Sequence, residues 1–355
     1  MLFILYTTGR CNLRCKYCGG SFDESVVPWE VKYSVSDLKR IVGREDDIAF
    51  YGGEPLLNTD FIEEVMAELN PSHYILQTNG ILLDKLDLEL IKRFDVILVS
   101  IDGPRWLTDL NRGRGVYDAV VRNVKWLREI GYDGDLIARM TITEESDIFR
   151  DVNHLLNLKL FDHVHWQLSF VWTEPWRNLW SWIRESYEPG LGKLLDQWIE
   201  KMRDGVVDGI APFQGIFTRI LRDGVKPPCG SGVDSFTVVS DGRIVACPIA
   251  VRESWAYVGR IGEIDKEKIK SYKPPIGEPC LSCRYFKICG GRCLYTHVER
   301  LWGDEGMRAI CEVSKFIIDL ILEKIPTIEK FLEEETITEE QMIYPKYNNT
   351  VEIMP

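Results

Sequence analysis

The sequence predicts an α/β fold: a partial, TIM-like barrel of six β/α units, followed by a cysteine-rich C-terminal region with a β-hairpin and helices. Three observations lead there. Short apolar or β-branched runs alternate with stretches of helical period, the alternation stops after a sixth run, and the ten cysteines crowd the two ends of a cysteine-free body. The runs 2–8, 47–51, 73–78, 96–101, 136–143 and 164–171 have the composition of buried parallel strands. Between them, 36–42, 60–69, 86–93, 117–130 and 147–156 carry helical periodicity. Such alternation implies parallel strands with crossover helices, and chemistry then belongs in the loops at the strands' C-terminal ends.

Composition narrows the function. Forty-three Lys and Arg against 55 Asp and Glu leave a net charge of −12, which repels a phosphate backbone, so no nucleic acid partner is expected. No uncharged apolar run reaches the roughly 18 residues of a membrane span, and the first residues lack a signal peptide's basic region. The expectation is a cytoplasmic protein with no membrane partner. In that reducing compartment, clustered cysteines bind metal more often than they pair.

The first cluster, Cys11-x3-Cys15-x2-Cys18, follows strand one. Three thiolates on one tight loop each take one iron of a [4Fe-4S] cube, and the fourth iron stays open for a ligand. A zinc loop or three ordinary thiols is the alternative. Other polar groups end the next strands: Gly52-Gly53-Glu54-Pro55, then Gln77-Thr78-Asn79-Gly80, then Ser100-Ile101-Asp102-Gly103, with Arg139 in strand five. Glycines allow close backbone approach, and Glu54 is suited to an ammonium group. These groups are expected to converge on one mouth.

At these residues the chain resembles the radical S-adenosylmethionine (SAM) superfamily, whose CxxxCxxC signature is met by Cys11, Cys15 and Cys18, with Tyr17 before the third cysteine. The resemblance implies that the open iron chelates SAM. One electron, from a donor such as ferredoxin or flavodoxin, then splits SAM to a 5'-deoxyadenosyl radical that takes hydrogen from an unreactive carbon. It implies that Gly52, Gly53 and Glu54 hold the methionine ammonium, that Tyr17 lies near adenine, and that Asn79 and Ser100 belong to the SAM site. Arg139 suits the carboxylate as a bidentate fork, with an ordinary barrel ion pair as the alternative.

The C-terminal cysteines, Cys229-x12-Gly242-x4-Cys247 followed by Cys280-x2-Cys283-x5-Cys289-x3-Cys293 and Cys311, resemble the SPASM extension of peptide- and protein-modifying radical SAM enzymes. By that resemblance Cys280, Cys283, Cys289 and Cys311 hold a closed auxiliary [4Fe-4S] cluster II. Cys229, Cys247 and Cys293 hold auxiliary cluster I, for which a further cysteine before Cys229 is absent. Two readings stay open: an iron that binds a substrate group such as a peptide thiolate, or a site completed by Asp, His or water or built around two irons. The implied domains are 1–204, a linker at 205–228 where Gly and Pro interrupt periodicity, 229–335, and a tail at 336–355. A hairpin, 236–239 and 243–246 around Asp241-Gly242, places Cys247.

The leading reading is hydrogen abstraction from a peptide or protein side chain, with cross-linking, for example a thioether, as the outcome. Pro248 stands where sulfatase-maturing relatives carry an aspartate base after the cysteine, which demotes formylglycine formation to runner-up. A zinc-stabilised, non-catalytic adaptor is the rival of another class. Tyr51, Asp102, Arg112 and Glu144 are candidates to quench or deprotonate a substrate radical. Arg112 has a second reading, as a surface turn residue. With the motif starting at residue 11, a peptide substrate is expected to need another recognition surface or a separate leader-peptide-binding protein. Trp166, Trp172, Trp176, Trp180 and Trp182 read as packing before groove wall.

Overall fold

The structure is a computed structural model that describes residues 1–222 and 226–344. Six parallel strands, β1 (Leu2–Thr8), β2 (Asp47–Gly52), β3 (His73–Thr78), β4 (Val96–Ser100), β5 (Asp135–Ile142) and β6 (His163–Leu168), lie side by side in the order 6-5-4-3-2-1. Every residue of β1 is buried. Successive side chains serve opposite faces: Phe3 and Leu5 pack under the helices, while Leu2 and Ile4 join Ala49, Ile75 and Leu98 inside the curved sheet. The helices Thr59–Glu68, Val116–Glu129 and Ile148–Asn157 cover the outer face, each within one residue of its expected bounds at either end. The segment expected at 36–42 is helical only over Val35–Leu38, and that at 86–93 only over Leu88–Ile91, after a 3-10 turn at Leu83–Lys85.

The hairpin is not a separate element. Its first strand, β7 (Ser235–Val238), adds in parallel to β1, pairing Leu2 with Ser235 and Leu5 with Val238. The antiparallel strands β8 (Arg243–Val245) and β9 (Tyr257–Arg260) continue outward, so nine strands form one sheet. β9 has no counterpart in the sequence reading, because Tyr257–Arg260 is too short to show alternation.

The stretch expected as a linker holds the helix Ala211–Arg222, with Phe213, Ile216 and Phe217 in the core. Its glycine and proline act locally. Pro212 occupies the first turn, where its missing N–H costs no bond, and Gly209 is required because a Cβ there would lie 1.8 Å from the Asp162 carbonyl oxygen. The long helix Gly303–Glu333 carries Cys311 inside it rather than at an end. Of the tail, Glu339–Met342 forms a short helix, and residues 345–355 lie outside the described residues. No described helix is long and apolar enough to cross a membrane. Among the tryptophans, Trp166 is fully buried, Trp176 and Trp302 pack with Phe170, the Phe170 and Trp302 ring centroids 4.0 Å apart, and Trp182 packs against Trp176.

Because β7 covers one edge of β1, the fragment 1–228 would expose an apolar strand edge. It is expected to aggregate on refolding, whereas the full chain runs as a discrete species. Size-exclusion chromatography of the two checks this, and a soluble, natively structured fragment would contradict it.

Candidate functional site

The loop after β1 carries Cys11, Cys15 and Cys18, and the end of β2 fixes its path. Gly53 N–H donates to the Thr8 carbonyl at 3.0 Å and Glu54 N–H to the Arg10 carbonyl at 2.7 Å. A Cβ on Gly52 would stand 2.3 Å from Thr8 O, and one on Gly53 2.1 Å from Arg10 O. The glycines are therefore demanded by the cysteine loop itself. Within the loop, Gly19 N–H donates to the Cys15 carbonyl, Leu13 N–H points at Cys11 Sγ, and Lys16 N–H donates to the Asn111 carbonyl.

Glu54 does not face the mouth. Its carboxylate is wholly buried and accepts from Thr78 Oγ1 at 2.6 Å, Asn79 N–H at 2.7 Å and Leu56 N–H at 3.1 Å, tying β3 to β2. Burial pushes its pKa up to about 7. These three donors engage the carboxylate, and it does not line the cavity described below, where an ammonium group was expected to meet it. Asn79, held by that carboxylate, turns its amide to Asn12 Oδ1 at 2.7 Å and toward Cys11 Sγ at 4.0 Å.

Asp102 and Arg112 form a buried bidentate pair, Nη2 to Oδ1 at 2.7 Å and Nε to Oδ2 at 3.0 Å. Asp102 also accepts from Thr141 N–H and from the Tyr17 hydroxyl at 3.1 Å, and the Arg112 guanidinium lies 5.4 Å from the Tyr17 ring centroid. This overturns the surface-turn reading of Arg112, which ends the helix Arg105–Arg112. Asp102 has no face on the cavity. Glu144 is also displaced: it accepts from Asn178 N–H at 2.7 Å and Arg177 N–H, capping the turn before Leu179–Trp182.

A cavity of about 550 Å³ opens over the loop. Cys11, Cys15, Tyr17, Cys18, Tyr51 and Gly52 line it, as do Gly53, Asn79, Ser100, Arg112 and Arg139, so most of the expected residues do converge. Sequence reasoning missed Gln167 and Ser169 from the end of β6, and Arg252, Glu253 and Tyr295, which the C-terminal region contributes to the opposite wall. Strand-end position is a signal for the first two; the others are adjacent only through the fold. Trp172, 45 % exposed, edges Phe22 at the mouth. Among the described residues lining the cavity, Asp23 and Glu253 are the carboxylates.

Arg139 forms no ion pair with a described residue. One guanidinium nitrogen donates to Gln167 Oε1, its buried Nε has no partner, and burial pushes its pKa down. A half-buried guanidinium so placed favours an anion in the cavity.

None of the ten cysteines is in a disulfide. Cys229, Cys247 and Cys293 line a second cavity of about 70 Å³, which shares Tyr51, Gln77, Arg139, Gln167 and Ile249 with the first. Cys280, Cys283, Cys289 and Cys311 line a third, of about 40 Å³. Burial pushes the Cys247 and Cys289 thiols up to about 12, while a hydrogen bond from Cys15 draws Cys18 down to about 6. Sulfur donors around three separate spaces fit iron–sulfur groups. Among the described residues no three His, Cys, Asp or Glu side chains converge as a single-ion site.

Residues 5–155 match the radical SAM superfamily. The cysteine-type anaerobic sulfatase-maturating enzyme of Clostridium perfringens (strain 13 / Type A) is 27% identical over 360 residues, covering 88% of this chain and 94% of that enzyme. In fold, the chain is similar to anSMEcpe solved with bound AdoMet, with a TM-score of 0.71 and 21% identity over 93% of this chain and 99% of that one. It is also similar to Streptococcus suis SuiB bound to precursor peptide SuiA, with a TM-score of 0.55 and 16% identity over 85% and 73%.

Glu54 yields a pH prediction. Its folded pKa, about 7, lies above the ordinary 4.5, so the folded state holds a proton that the unfolded chain releases. The stability this contributes is present below pH 4.5 and is lost as pH rises through 7. Urea midpoints of the wild type relative to Glu54→Gln are expected to fall between pH 5 and pH 8; a difference independent of pH would refute the assignment.

Proposed function

We propose that this chain, which carries a radical SAM domain, uses SAM to abstract hydrogen from a side chain of a peptide or protein, with cross-link formation as the leading outcome. The observation that carries the reading is the junction of two thiol-lined spaces. The cavity over Cys11, Cys15 and Cys18 shares four polar side chains, Tyr51, Gln77, Arg139 and Gln167, with the cavity of Cys229, Cys247 and Cys293. When bound, a [4Fe-4S] cluster with an open iron supplies the one-electron cleavage of SAM to a 5'-deoxyadenosyl radical. Cys11, Cys15 and Cys18 would hold that cluster, and an electron donor such as ferredoxin or flavodoxin would reduce it.

The remaining work falls to the chain. Gly52 and Gly53 offer backbone to the methionine end, Arg139 offers a half-buried guanidinium with a free Nε to a carboxylate, and Tyr17, Asn79 and Ser100 wall the nucleoside end. Tyr51 faces both spaces and can hold or pass a proton. Cys229, Cys247 and Cys293 would carry auxiliary cluster I, and Cys280, Cys283, Cys289 and Cys311 cluster II. A peptide substrate is supported by the neighbours: anSMEcpe has been solved with AdoMet and a Cp18Cys peptide, and SuiB with its precursor peptide.

A second reading, oxidation of a protein Ser or Cys, is favoured by the sulfatase-maturating relatives. Pro248 offers no acid there, and its carbonyl accepts from the Tyr6 hydroxyl at 2.7 Å. Of the two carboxylates lining the cavity, Glu253, whose pKa burial raises, would serve as the base rather than Asp23, which hydrogen bonds from Ser25 hold below the ordinary carboxylate value.

Anaerobically prepared protein is expected to hold about twelve irons with equal sulfide and little zinc. It should release 5'-deoxyadenosine from SAM under a low-potential reductant. Zinc-only protein that folds and leaves SAM intact would refute the proposal. Cys15→Ala is expected to lose all SAM cleavage while keeping about eight irons. Mass spectrometry of small peptides encoded beside this gene then separates the outcomes: a new intramolecular bond supports cross-linking, and an aldehyde insensitive to Glu253→Gln excludes that residue as base.

A further inference from the structure

The helix Leu294–Glu299 runs between the two auxiliary spaces. Cys293 caps its N-terminus and, with Leu294, lines the second cavity; one turn on, Thr296 and His297 line the third. His297 N–H donates to the Cys293 carbonyl at 3.0 Å, so the ring's position is coupled to a cysteine of one set. The ring itself reaches the other set: Nδ1 lies 3.6 Å from Cys280 Sγ.

The opposite ring nitrogen decides which atom carries the proton. Gly277 N–H, a donor only, points at Nε2 at 3.3 Å. Nε2 must therefore present its lone pair, and the neutral ring carries its hydrogen on Nδ1, directed at the sulfur. A cysteine that ligates iron is an acceptor-only thiolate, so the contact becomes Nδ1–H···S⁻ once the site is loaded. A hydrogen bond to a ligating sulfur draws off negative charge, and the reduced cluster, with one more electron, gains more from it than the oxidised one. Arg292 and Lys315 line the same space and bias it in the same direction.

We infer that His297 is a positioning residue that sets the reduction potential of the group held by Cys280, Cys283, Cys289 and Cys311, raising it through a hydrogen bond to the Cys280 sulfur. This rests on the reading of those four cysteines as the ligands of an auxiliary cluster. The sequence alone hides this contact, because Gly277, Cys280 and His297 meet only in the folded loop.

The test is an electron paramagnetic resonance redox titration of anaerobically loaded protein, one electron per couple, with iron counted in every sample. Cys283→Ala identifies the signal that belongs to this site. His297→Phe is expected to keep its iron and to move that one midpoint to more negative potential, leaving the other signals in place. His297→Asn, which keeps an N–H donor, is expected to return it toward the wild-type value. An unmoved midpoint in His297→Phe, loss of iron from that variant, or an Asn variant no different from Phe would each overturn the inference. Wild-type protein that never gains this signal would instead refute the cluster reading beneath it.

Discussion

The site depends on one close approach of backbone to backbone. Where β2 ends, Gly52 and Gly53 lie against Thr8 and Arg10 with no room for a Cβ, and two hydrogen bonds lock the contact. The loop bearing Cys11, Cys15 and Cys18 is thus an extension of the sheet rather than a free excursion, and its sulfurs inherit the rigidity of the strands. Glu54 completes the lock from behind by gathering Thr78, Asn79 and Leu56 onto one buried carboxylate. An ionised carboxyl in that position is costly unless several donors meet it, and three do.

A second buried charge is arranged in the opposite way. Asp102 and Arg112 satisfy each other with two bonds, and removing one partner of such a pair costs about 3–5 kcal/mol because the other is stranded. The pair places the Tyr17 ring beside the third cysteine of the loop and fastens the helix Arg105–Arg112 to β5 through Thr141. Arg139, one strand away, lacks such a partner among the described residues. Two guanidinium groups face one cavity, one spent on scaffold and one available to a ligand.

The C-terminal region reaches this cavity because β7 pairs with β1. That register carries β8 and the turn after it to the cavity wall, so Cys247 sits behind Tyr51 and Arg252, Glu253 and Tyr295 close the far side. The cavity over the cysteine loop and the space lined by Cys229, Cys247 and Cys293 are adjacent as a consequence of sheet pairing, with side chains shared between them instead of a solvent gap.

Much of this was legible in the sequence. The six parallel strands follow from apolar runs because both of their faces are buried, and the set Cys11, Cys15 and Cys18 follows from its tight local spacing, whereas the division of the C-terminal cysteines, which interleave along the chain, was implied by the resemblance alone. The direction of individual side chains was not legible. Glu54 reads as an ammonium ligand and Asp102 as a catalytic candidate, both beside strand ends, yet whether a carboxylate faces the cavity or turns back into the scaffold is decided by which backbone N–H groups and cations the neighbouring strands bring within reach. The helix at 211–222 was hidden by Gly and Pro whose positions only tertiary packing makes harmless. The sequence by itself determined the chemistry of the donors and the order of the strands, since both depend on local pattern. The tertiary structure alone decided which polar groups are spent on holding the fold and which remain for a ligand, because that choice is a competition among partners distant in the chain.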